Sequence, residues 1–86
     1  MDSEGVQSKS CGALWELAKD CDEYDTVIQD AGGIAAILDA MRRHESAESV
    51  QGNGCGALEE LAENNDENKT AVQKAGGIAA ILDAMS

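Results

Sequence analysis

Few side chains in this 86-residue chain could do chemistry: three cysteines, Cys11, Cys21 and Cys55, one histidine, His44, and a large excess of carboxylates. A metal site needs several ligands at fixed spacing; the cysteines make no CxxC pair, and His44 falls in the turn after a different helix. No Ser/His/Asp or Cys/His set is suggested by spacing, and the neighbouring carboxylates Glu59 and Glu60 diverge on a helix instead of facing one another. The glycines at 52, 54 and 56 lack the Lys-Ser/Thr ending of a phosphate loop. The residues therefore predict a protein that is not an enzyme and holds no cofactor and no metal. Cys11 and Cys55 read as small core fillers, and Cys21 as an exposed, oxidisable loop residue.

The charge narrows the partners. Seventeen acidic residues against six basic ones give a net charge of −11, which repels phosphate and anionic lipid, and only Arg42 and Arg43 form a basic pair. Nucleic acid and membrane surfaces are not expected partners. There is no charged start followed by an apolar run, and no apolar segment approaches the roughly 20 residues of a membrane span. An odd number of cysteines without a disulfide framework fits reduced thiols and a cytoplasmic setting.

The elements that must position these residues are helices. Trp15 and Tyr24 are the only aromatics, proline is absent, and Ala, Leu, Glu and Asp dominate, so the fold class is all-α. The chain is also written twice. GGIAAILDAM occurs at 32–41 and 76–85, SCGALWELA at 10–18 returns as GCGALEELA at 54–62, and 25 of 42 positions agree when residues 1–42 are set over 45–86. A period of 44 belongs to stacked helical repeats, in which each unit buries its apolar face only against its neighbours. The whole of 1–86 reads as one fragment, with unit 1 at about 1–44 and unit 2 at about 45–86.

Breaks divide each unit into three helices. The first follows an N-cap at Asp2 or Ser46 and runs to about Ala18 or Ala62. A short second follows Asp22 or Asp66 and stops at the paired glycines 32–33 or 76–77. A third begins at Ile34 or Ile78. Breaks are expected over Asp20 to Glu23, Gly32 to Gly33, Glu45 to Ser46, Asn64 to Glu67 and Gly76 to Gly77.

The pattern VQxxxCGALxELA, a DE-rich loop and then AVQKAGGIAAILDAM resembles the armadillo repeat over the entire chain. The resemblance implies an armadillo-type α-solenoid fragment, six helices in two three-helix units, with the longest helix of each unit lining a concave binding surface. In armadillo order the chain starts within a repeat and reads third, first, second, twice over. Peptide-binding members line their groove with a Trp and an Asn four residues apart. The corresponding positions here are Gly12 and Gly56, and Glu16 and Glu60, so both ladders are missing. What remains is an acidic groove at Gly12, Trp15, Glu16, Gly56, Glu59 and Glu60 that could attract the Lys or Arg side chains of a basic extended peptide. A solvated acidic helix face is the simpler reading.

On a helical wheel Val6, Ser10, Ala13, Leu14, Leu17 and Ala18 share one face of the opening helix, and Ser8, Gly12, Trp15, Glu16 and Lys19 lie opposite, on what reads as the outward side. Trp15 corresponds to Glu59, a swap a core position would hardly tolerate. It is either draped over the neighbouring ridge or a partner contact.

The permuted frame leaves two apolar faces without cover: Val6, Ala13, Leu14 and Leu17 at the head, and Ile78, Ile81, Leu82 and Met85 at the tail. Repeat arrays generally need three or more units and polar caps. The expected function is therefore a structural unit that self-associates through its uncapped ends, head to tail or as a domain-swapped dimer. The near-identity of the units and the nearly whole periods favour an excised or engineered repeat piece. Binding a basic segment on the acidic face is the alternative.

Overall fold

The computed structural model describes residues 3–63 and 65–86. Ser3 starts the first helix: its hydroxyl accepts from the Val6 amide at 3.2 Å, satisfying one of the donors left over at a helix N-terminus. The cap expected at Asp2 lies outside the described residues. Helix α1 runs over Glu4–Asp20, with Glu4 in its first turn and Lys19 in its last, each at the end of the macrodipole that favours its charge. One extended residue, Cys21 (φ −156°, ψ 121°), separates it from α2, Asp22–Asp30. Cys21 is half-buried, not exposed, because a one-residue hinge leaves no loop to carry it outward.

The two glycines that follow do different jobs. Gly32 has φ 87°, a left-handed conformation that costs any other residue energy. Gly33 has ordinary backbone, but a Cβ there would lie 2.8 Å from the Ile28 carbonyl oxygen, so only glycine lets α3 turn this close to the end of α2. Gly76 (φ 86°) and Gly77 repeat both roles. Helix α3, Gly33–Arg43, and helix α6, Gly77–Ala84, each begin one residue before the expected Ile34 and Ile78.

Helix α4, Glu48–Ala62, begins without the cap expected from Ser46. The chain turns so that Ala47 is buried, which makes Ala47 the N-cap and leaves Ser46 exposed one residue too early. The turn is held from inside α4 instead: Gln51 Nε2 donates to the carbonyls of Met41 (2.8 Å) and His44 (3.0 Å). Asn65 caps α5, Asp66–Lys74, by accepting from the Asn68 amide at 3.0 Å. Of the break expected over Asn64 to Glu67, Asn64 lies outside the described residues. The described residues form six α-helices and no strand, and each of α4, α5 and α6 starts 44 residues after α1, α2 and α3.

The core sits between α3 and α4. Ile34, Ile37, Leu38 and Met41 join Val50, Ala57, Leu58 and Leu61 in one buried cluster. Fully covering each large side chain of this kind contributes about 1.5–3 kcal/mol. Helix α1 lies along α4. Gly54 lets α4 approach α3, since a Cβ there would come within 2.8 Å of the Met41 sulfur.

Candidate interaction faces at the two ends

Identical residues have different surroundings in the two halves. Leu38 is 0% exposed and its counterpart Leu82 58%; Met41 is 2% exposed and Met85 78%. The opening helix shows the same contrast in reverse: Leu61 is 0% exposed and its counterpart Leu17 45%. The cause is geometric, because α4 covers the outer side of α3 while no described element covers the outer side of α6, which packs on α3 and α5, or that of α1. Val6, Ala13 and Ile78 are exposed as well, and Leu14 and Ile81 are half-buried against the core. The head face of α1 and the tail face of α6 are thus separate apolar surfaces on one molecule.

Trp15 belongs to neither. The side of α1 expected to face outward, Ser8, Gly12 and Trp15, faces α4. Asn53 Nδ2 donates to the Ser8 carbonyl (3.0 Å) and hydroxyl (3.2 Å), Gly12 lies against the same amide, and the Trp15 ring covers Gly56 so closely that a Cβ there would be 2.6 Å from the indole. Only Glu16 and Lys19 of that set remain exposed. Helix α1 lies on α4 with its Ser8, Gly12 and Trp15 side and leaves its apolar Val6 and Leu17 side open, so the division of a wheel into an apolar inside and a polar outside fails here. Small residues at 8 and 12 were the available sign of close helix approach. The Trp–Glu swap between positions 15 and 59 follows from the same geometry: Trp15 has α4 to lie on, whereas Glu59 faces open solvent.

Of the six groove residues, Trp15, Gly56 and Glu59 border one groove, and Gly12, Glu16 and Glu60 lie outside it. Gly56 is covered by Trp15, Gly12 is half-buried against Asn53, and Glu16 and Glu59 are exposed, while Glu60 is half-buried near Asp25. Beside Trp15 runs a shallow, mostly apolar groove of about 500 Å³ bounded by Cys55, Gly56, Glu59, Val72 and Ile81. It is continuous with the tail face through Ile81. Burial pushes the thiols of Cys11 and Cys55 up from the ordinary range, and Cys55, on the groove wall, is the more open of the two.

Asp25 is a buried carboxylate that periodicity and spacing do not single out. This carboxylate in the first turn of α2 is buried, its Oδ1 has no hydrogen-bond partner among the described residues, and only its backbone carbonyl accepts, from Asn68 Nδ2 at 3.2 Å. Loss of hydration raises its pKa, and the nearby charges of Asp22, Glu60 and Glu63 raise it further. The available signal was the charge reversal between Asp25 and its counterpart Lys69. Because the folded state binds the proton more tightly than the unfolded chain, the penalty is absent below the unfolded pKa and grows as pH rises through the folded one. Asp25→Asn is therefore expected to stabilise the protein at pH 7 by about 1 kcal/mol, or roughly 4–8 °C in Tm. The gain should vanish near pH 3; thermal melts across pH check both sign and window.

Among the described residues no group of three or more His, Cys, Asp or Glu side chains is gathered for a metal ion, and no helix is long and apolar enough to cross a membrane. Comparison with protein families, with curated proteins and with solved structures finds no match for this chain.

Proposed function

We propose that this chain is a non-catalytic, armadillo-type helical-repeat unit of two three-helix units, whose role is to associate with further copies of itself through its two apolar ends. One observation carries this reading: Leu38 and Met41 are buried where α4 covers them, and their counterparts Leu82 and Met85 are exposed where no described element does. Covering half-exposed Leu, Ile, Val and Met side chains contributes roughly 1 kcal/mol each, and several of them lie at each end. The net charge of −11 opposes association and is screened by salt, so assembly is favoured at higher ionic strength.

Light scattering across concentration and salt tests the proposal. The chain is expected to grow with both, and Leu82→Glu, at an exposed position, is expected to raise the concentration for half-assembly at least about tenfold. A folded monomer at high concentration defeats the proposal. Cys55 offers a second readout: its reaction with a thiol reagent should slow as the chain assembles, whereas Cys11, already buried, should react slowly throughout.

Capture of a basic extended segment has weaker support. Carboxylates stand where amides would grip a peptide backbone, and Trp15 lies over Gly56.

A further inference from the structure

We infer that the second copy docks head to tail, in the register of the chain's own repeat, with α1 of one molecule lying on α4, α5 and α6 of the other as α4 lies on α1, α2 and α3. The inference deepens the self-association proposed above and rests on it.

Three observations converge on this register. First, the helices of the second half start 44 residues after those of the first, and the left-handed glycines match to a degree (φ 87° and 86°). The tail therefore presents the same backbone frame that α4 already recognises. Second, the side chains that α4 buries on α3, Val50, Ala57, Leu58 and Leu61, have as counterparts on α1 the residues Val6, Ala13, Leu14 and Leu17, identical in type and open to varying degrees. Their target on α3 recurs unchanged on α6 as Ile78, Ile81, Leu82 and Met85.

Third, one acid–acid clash within the chain becomes an opposite-charge pair between copies. Inside the chain Asp25 on α2 lies near Glu60 of α4 and Glu63 at its C-terminal cap, with Asp22 alongside, so the internal joint brings four acids together. Moved on by one repeat, these positions are Lys69 and Asp66 on one molecule and Glu16 and Lys19 on the next. Lys69 then faces Glu16, so the Asp25–Glu60 repulsion becomes an attraction, while Lys19 takes the place of Glu63 on the far side of Lys69. In the single chain Lys69 has only a long, exposed contact of 3.8 Å to Asp66. A head-to-tail contact uses different surfaces on the two molecules, so it closes into a ring or continues as a filament.

The test uses two blocked variants at exposed positions, Leu17→Glu with a free tail and Leu82→Glu with a free head, each confirmed folded by circular dichroism. At a concentration where the unmutated chain assembles, each alone is expected to be monomeric in analytical ultracentrifugation, and their mixture to form a 1:1 heterodimer that grows no further. Dimerisation of either variant alone, or a mixture that stays monomeric, overturns the register while leaving self-association standing. A monomeric unmutated chain overturns both. Adding Lys69→Glu to the Leu17→Glu protein should weaken the heterodimer about fivefold, and Glu16→Lys in the other protein should restore it. Weakening without restoration, or no weakening, also overturns the register.

Discussion

Leu38→Ala is expected to cost the folded state about 2–5 kcal/mol, and Leu82→Ala close to nothing at concentrations where the chain is monomeric, although the two leucines occupy the same place in identical ten-residue sequences. Leu38 is fully enclosed between α3 and α4, so its truncation loses the transfer free energy of three carbons and leaves a cavity that neighbouring helices fill only in part. Leu82 stands 58% exposed, and removing it opens no cavity. Urea unfolding at low and high concentration separates the two effects. Leu38→Ala should lower the midpoint at every concentration. Leu82→Ala should lower it only where copies associate, because binding to the folded state alone raises apparent stability by mass action. Equal losses at both sites in dilute protein would mean that α6 is covered within the single chain.

Gly33→Ala is expected to cost about 1–3 kcal/mol, and Gly77→Ala a similar amount, while Gly52→Ala should stabilise by about 0.5–1 kcal/mol. The three changes are chemically the same. At Gly33 the new methyl meets the Ile28 carbonyl oxygen at 2.8 Å, and at Gly77 it meets that of Val72 at 2.7 Å. These are backbone atoms that cannot rotate away, so the α2–α3 and α5–α6 turns must open. At Gly52, inside α4, a methyl has nothing within 4 Å, and alanine there restricts the unfolded chain without crowding the folded one. Denaturant midpoints for the three variants check the ordering; a neutral Gly33→Ala would contradict the close approach of the two helices.

Much of the architecture is legible because it is local. Helical composition, the paired glycines and the 44-residue repeat mark six helices to within a residue or two, since positive φ, lost backbone donors and capping act over three or four residues of chain. Where a distant element intervenes, legibility fails. Ser46 has the right type and place for a cap, yet burial of Ala47 moves the turn past it. Trp15 reads as outward until α4 lies along α1 and Gly56 gives the indole somewhere to lie.

By its own text the sequence determined the helices, their breaks, the repeat and the set of apolar residues that need cover, because these depend on propensity and spacing along one strand of chain. Only the tertiary structure decided which copy of each apolar residue is covered, that Ser8, Gly12 and Trp15 face inward, and that Asp25 is buried beside Glu60 and Glu63. Two identical ten-residue blocks carry the same local information. What separates Leu38 from Leu82 is the presence of α4 over one and of no described helix over the other, a difference made by packing between helices and written in neither block.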